Sequence, residues 1–156
     1  MAKDLAVGDK APAFDLPAGG SGRLKLSELK GKAVVLYFYP KDDTSGCTKE
    51  AIDFTAKKKE FDKLGAVVIG VSKDSVPSHE KFAKKHALKV ALGADEDGKT
   101  CEAYGVWVEK SMYGRKYMGI ERATFLLDGT GKLRQVWRKV KVPGHADEVL
   151  AAAKAL

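Results

Sequence analysis

The chain alternates between unbroken apolar runs and longer stretches in which apolar residues return every three or four positions. Residues 33–39 (Ala-Val-Val-Leu-Tyr-Phe-Tyr) and 66–72 (Ala-Val-Val-Ile-Gly-Val-Ser) are the two runs. Runs with almost no polar position read as strands covered on both faces. Between them, Ala51, Phe54, Phe61 and Leu64 recur at steps of three and seven, while Lys57, Lys58 and Lys59 face elsewhere. That pattern predicts one helix over 47–64, ended by Gly65. A second helix is predicted over 75–86, with Pro77 tolerated in its first turn. Residues 90–92 read as a short strand and 95–98 as a turn, and a helix of about two turns starts near Lys99. Residues 13–16 and 23–26 flank the turn Ala-Gly-Gly-Ser-Gly and read as an N-terminal hairpin. Ser27 is placed to cap one helical turn that Gly31 ends. Residues 108–121 have no clear period, and Gly114 and Gly119 suggest a loop. A second hairpin is predicted from 123–127 and 133–137 around Asp-Gly-Thr-Gly. Val142 and Pro143 lead into a closing helix.

Early strand–helix–strand units imply parallel strands with right-handed crossovers. The late hairpin adds antiparallel strands. The expectation is an α/β chain: a thioredoxin-like mixed sheet with helices on both faces and an N-terminal β-hairpin, forming one domain over residues 1–156.

Composition changes this picture little. The 156 residues are 44% apolar and 31% charged, as in an ordinary globular protein. The net charge of +7 is spread along helix-like segments that also hold Glu60, Asp62 and Glu80, so solvated helix faces explain it better than a nucleic-acid or membrane partner. The apolar run 33–39 is too short to span a bilayer. The opening Met-Ala-Lys-Asp-Leu-Ala-Val-Gly-Asp lacks the apolar core of a signal peptide, so a cytoplasmic location is expected. Two cysteines are too few for a disulfide scaffold.

Candidate chemistry concentrates where the first run ends. Pro40 stops the strand, a polar loop follows, and Cys47 stands in the first turn of the predicted helix. Unpaired N–H groups there favour a thiolate, which points to nucleophilic or redox cysteine chemistry. The histidines offer no rival site. His79 and His86 are seven apart, a poor match to the zinc spacing of i and i+4, and His145 is distant, so surface or capping roles are expected and no metal. No dinucleotide fingerprint or phosphate loop is present, so no nucleotide cofactor is implied.

Pro40, Thr44 and Cys47 stand in the spacing P-x-x-x-T-x-x-C, which resembles the active-site signature of the peroxiredoxins. The wider string Tyr-Phe-Tyr-Pro-Lys-Asp-Asp-Thr-x-Gly-Cys-Thr-Lys-Glu is similar to their bacterioferritin comigratory protein, or peroxiredoxin Q, branch. Further matches lie at 8–16, 70–75, 97–107 and 119–128. The resemblance implies a thiol peroxidase that reduces hydrogen peroxide and organic hydroperoxides through a cysteine sulfenic acid and is regenerated by thioredoxin or a similar dithiol. It implies no cofactor, and related chains are often monomers.

The residue types suit that reaction. Cys47 would attack one peroxide oxygen while the other leaves, spreading negative charge over sulfur and two oxygens. The N–H groups of Gly46 and Cys47 would face the oxygens, and Gly46 would let the peroxide approach the backbone. The Thr44 hydroxyl would accept from the peroxide and donate to sulfur. Pro40 would wall off water. By resemblance the cation is Arg122, whose planar fork can touch sulfur and oxygen together. Glu50, one turn after Cys47, would orient it or simply complement the helix dipole.

Two departures stand out. Position 45 is Ser where the family commonly has Pro, a small loss of rigidity. The places where the branch carries a resolving thiol match Ile52 and Ala83 here. The remaining cysteine, Cys101, is open to three readings: an inert thiol in an Ala103/Val106/Trp107 cluster, a resolving thiol reached by local unfolding, or a bystander in a one-cysteine enzyme. A thiol–disulfide oxidoreductase would need C-x-x-C, and Thr-Lys-Glu follows Cys47 instead. A basic nucleic-acid binder predicts salt-sensitive affinity without turnover. A peroxide sensor predicts fast oxidation with slow reduction by general dithiols.

Overall fold

A computed structural model describes residues 5–156; residues 1–4, part of the opening read above for a leader, lie outside the described residues. The first apolar run forms β3 (Val34–Phe38), and the second forms β4 (Val67–Ser72). They pair in parallel, with Val34 opposite Val67 and Phe38 opposite Val71. β5 (Ala91–Ala94) extends the parallel set. On the other side of β3, β8 (Ala123–Leu127) runs antiparallel, and β9 (Leu133–Arg138) pairs with it in turn. The order across the sheet is β5-β4-β3-β8-β9.

Because β3 is central and wholly buried, its side chains divide strictly between two cores. Val35, Tyr37 and Tyr39 face α1 (Ser45–Ala56), α2 (Lys58–Lys63), α3 (Val76–His86) and α5 (His145–Lys154), which contribute Ala51, Phe54, Phe61, Phe82 and Val149. Val34, Leu36 and Phe38 face the opposite core, with Cys101 and Tyr104 at α4 (Lys99–Ala103) and Leu16 of the N-terminal hairpin. That hairpin is β1 (Asp15–Ala18) paired with β2 (Gly22–Lys25). The mixed sheet, its cover on both faces and the hairpin are those expected. No helix among the described residues is long and apolar enough to cross a membrane.

One close fit matters for the site. Tyr37 lies opposite Gly70 in the β3–β4 register. A Cβ on Gly70 would sit 2.6 Å from the Tyr37 ring, so the ring occupies the space a side chain would need. The same ring stacks on Phe54 of α1 at 4.8 Å between centroids.

Four local expectations fail, each for a physical reason. The helix predicted over 47–64 is two helices that meet at Lys57, whose φ of −100° and ψ of 2° leave the helical range. Seven residues along a straight helix separate side chains by about 10 Å. The bend instead brings the Phe54 and Phe61 rings to 6.2 Å. Leu64, counted with them, is 40% exposed beyond the end of α2. Ser27 caps nothing: the one-turn 3₁₀ segment Leu26–Leu29 starts after Lys25 and has no side-chain cap. Residues 108–121 are not a loop but the hairpin of β6 (Trp107–Met112) and β7 (Arg115–Ile120). Both faces of its outer half are exposed, so no apolar alternation marked it. Its two turn residues, Tyr113 and Gly114, both have positive φ, the geometry of a tight primed turn.

Candidate active site

α1 begins at the carboxyl end of β3, and Cys47 is its third residue. The N–H groups of Ser45, Gly46 and Cys47 precede the first intrahelical bond, which Thr48 donates to the Thr44 carbonyl at 2.8 Å. Cys47 is 2% exposed and joins the Tyr37/Phe54 core. The antiparallel register places Ala123 opposite Phe38, so the residue before β8 arrives at the same end of the central strand. That residue is Arg122. Its Nη2 donates to Cys47 Sγ at 3.3 Å, and its Nη1 donates to Glu50 Oε1 at 2.6 Å. The sheet register therefore brings together residues 75 positions apart.

Glu50 is nearly inaccessible, and its second oxygen has no hydrogen-bond partner. Burial raises its carboxyl to about 7, against the opposing pull of the Arg122 charge and hydrogen bond. The orphaned oxygen is consistent with burial outweighing the ion pair. Tyr37 OH, likewise buried and unpartnered, shares this side of the sheet. Burial, followed by the charges of Glu50 and Cys47, raises that phenol well above its usual range.

Gly46, expected to let the peroxide approach, also lies tight against the cation. A Cβ there would lie 3.2 Å from Arg122 Nη2. The bare backbone admits the guanidinium onto the helix start. Thr44 is the exposed residue at the helix N-cap, but its hydroxyl donates to the Lys41 carbonyl at 2.9 Å and makes no helix-capping bond. Its single proton is used to close that turn, so the donation to sulfur expected of it is not made, while its lone pairs remain free to accept. Pro40 ends β3 exposed, at the mouth of the site.

The structure does not bring Cys101 into this group. It is fully buried in the core on the opposite face, beside Tyr104 and Val106, while Ala103 turns to solvent. Its N–H donates to Asp95 Oδ2 at 2.8 Å. Burial, then the adjacent Asp95 carboxylate, pushes its thiol far up. The five-stranded sheet separates the two cysteines. Ile52 is largely exposed and Ala83 partly buried.

Two of the three histidines depart from their expected surface or capping roles, while His86 stays near the surface in the last turn of α3, paired with Asp43. His145 is buried; its Nε2 lies 2.8 Å from Thr124 Oγ1, and burial, then the Arg122 charge, lowers it to about 4. His79 is 2% exposed and touches the loop that leads to Cys47. Its Nδ1 lies 2.7 Å from Asp42 Oδ2 and its Nε2 3.0 Å from the Gly93 carbonyl. Sequence reading missed Asp42 and His79, although a signal existed. His79 shares the inward face of α3 with Phe82 and Ala83, three and four positions on, and a polar residue there must find a buried partner. Asp42, Asp74 and His79 also bring oxygens and a nitrogen within 4.8 Å of one another. Those atoms already serve hydrogen bonds within the protein, and both His79 nitrogens face protein oxygens.

Known proteins resemble this chain over nearly its whole length. The family model described as AhpC/TSA matches residues 7–136. A putative peroxiredoxin bcp from Coxiella burnetii is 53% identical over 94% of this chain and 97% of its own. A cysteine-to-serine mutant of Xylella fastidiosa PrxQ superposes with a TM-score of 0.93 at 40% identity, covering 99% and 98% of the two chains. Xanthomonas campestris bacterioferritin comigratory protein, solved as trapped intermediate and ligand complexes concerning its alkyl peroxide reduction, gives a TM-score of 0.87 at 50% identity over 91% and 90%.

Proposed function

We propose, for a chain that belongs to the AhpC/TSA family and is a thiol peroxidase of its peroxiredoxin Bcp branch, a one-cysteine cycle carried by Cys47. The observation behind this reading is the pairing of Cys47 Sγ with the Arg122 guanidinium at 3.3 Å, on the face of the sheet away from Cys101.

In that cycle Cys47 sulfur attacks one peroxide oxygen. The O–O bond breaks, and the other oxygen leaves as hydroxide or alkoxide and takes a proton. Arg122 is a fixed cation for the charge on sulfur and oxygen, and the free N–H groups of Gly46 and Cys47 are donors for the oxygens. Thr44 accepts from the peroxide hydrogen, and Pro40 shields one side. Glu50 is a positioning residue that holds the second arm of the fork. Cys47 sulfenic acid then condenses with an outside thiol, releasing water and leaving a mixed disulfide, and a second thiol frees Cys47 as a new disulfide forms. A thioredoxin-like dithiol protein is the reductant this reading favours. Two free cysteines suit a reducing compartment such as the cytoplasm, and the family resemblance favours a monomer.

Intact mass without reductant, after one equivalent of hydrogen peroxide, tests the cycle. Wild type and Cys101→Ser should both gain one oxygen on Cys47. Loss of two hydrogens in the wild type alone would assign Cys101 the resolving role and overturn the one-cysteine reading.

A further inference from the structure

The loop between β3 and α1 is fastened to α3 by two consecutive aspartates. Asp43, in the left-handed conformation at φ 60°, takes Lys85 Nζ at 2.7 Å and His86 Nε2 at 2.8 Å, both near the surface. Asp42 is different because it is buried. Its carboxylate receives Tyr39 OH at 2.6 Å, Ser78 Oγ at 2.8 Å and His79 Nδ1 at 2.7 Å. Its own N–H donates to Asp74 Oδ2 at 2.8 Å, and that oxygen also takes Ser72 Oγ at 2.6 Å. Burial alone would raise the Asp42 carboxyl, but the hydrogen bonds from His79, Tyr39 and Ser78 outweigh it and hold it below the ordinary range. With Tyr39 OH donating to one oxygen and Ser78 Oγ to the other, the Asp42 carboxylate faces His79 as an acceptor.

His79 therefore stands between two acceptors, the Asp42 carboxylate at Nδ1 and the Gly93 carbonyl at Nε2. A neutral imidazole can donate from only one nitrogen. We propose that His79 is a buried imidazolium whose ion pair with Asp42 is the positioning device of the peroxidatic loop. It ties α3 and the β5 backbone to the residues that set Thr44 and the start of α1. Neither side chain hydrogen-bonds to Cys47, Thr44 or Arg122. They act by fixing the loop from which Thr44 and the free N–H groups are presented. Losing one partner leaves the other as a buried uncompensated group, and the loop then relaxes away from the reactive geometry. A misplacement near 1 Å costs on the order of 10² in rate.

The inference rests on Cys47 being the peroxidatic thiol, and stopped-flow oxidation of the wild type by hydrogen peroxide checks that first. Ring ¹⁵N NMR of the wild type at neutral pH should then show hydrogen on both His79 nitrogens; one bare nitrogen overturns the proposal without touching the peroxidase reading. His79→Gln should lower the rate constant with peroxide by about 10- to 100-fold. Alkylation of Cys47 by iodoacetamide, which needs the thiol but not the peroxide geometry, should change by less than about two-fold. Adding Asp42→Asn to His79→Gln, which pairs two neutral amides, should recover most of the loss. A folded His79→Gln enzyme with a lower Tm but an unchanged peroxide rate would reduce the pair to a purely structural contact and overturn the positioning role. Should the single variant fail to fold, the ring measurement still decides.

Discussion

The two cysteines of this chain occupy the two cores of one sheet, and everything that makes a thiol reactive is on one side. Cys47 opens a helix of twelve residues, beside free N–H groups and a guanidinium. Cys101 lies in a helix of five residues, sealed among aromatic rings with a carboxylate as its polar neighbour. Both are buried almost completely, so exposure does not separate them. The sign of the adjacent charge does: a cation favours the electron-rich sulfur that attacks peroxide, and an anion opposes it.

The largest effect that tests this contrast is expected from Cys47→Ser, which should lower peroxide turnover by more than about 10³-fold. Residual turnover that depends on Cys101 would abolish the contrast. Next comes Arg122→Ala, expected to cost about 10²–10³ in kcat/KM, the order seen when one transition-state donor is removed. It also takes away the hydrogen-bond donor of the buried Glu50 carboxyl, so unfolding in urea should show a loss of about 1–3 kcal/mol. Arg122→Lys should recover part of the rate only, because one ammonium cannot serve sulfur and Glu50 in the same way.

Glu50→Gln refines the contrast through pH. The folded chain keeps a proton at Glu50 up to about 7, while an ordinary carboxyl releases it near 4.5. Between those values the folded state binds more protons than the unfolded one, so wild-type stability falls as pH rises. Gln cannot titrate, and its Tm should lose that slope. Equal slopes in thermal scans at pH 4, 5.5 and 7.5 would contradict the assignment. The smallest effect is expected from Cys101→Ser, which should leave kcat/KM with peroxide within about two-fold, because the change lies across the sheet from the reacting atoms.

The same contrast sets what could be read from the sequence. β3 and β4 were visible because strands covered on both faces have apolar side chains throughout. Cys47 was visible because its strand, loop and helix are contiguous. Arg122 depended on resemblance, since the Phe38–Ala123 register that delivers it leaves no local pattern. The β6–β7 hairpin escaped because solvent surrounds its tip: Tyr113 is fully exposed, and Met112 and Met118 are each about half exposed. The break at Lys57 escaped because the packing of two distant rings decided it. Asp42 and His79 escaped because their partnership spans 37 positions.

The fit of Tyr37 over Gly70 ties the history of one position to the other. Any side chain at 70 would strike the ring, and the ring cannot retreat without pressing on Phe54, about two turns along the same face of α1 from Cys47. Substitution at 70 is therefore open only to lineages that have first traded Tyr37 for something smaller, and the two sites should drift as a pair. A single replacement at Gly70, remote from the chemistry in sequence, would be inherited as a defect of the peroxidatic helix.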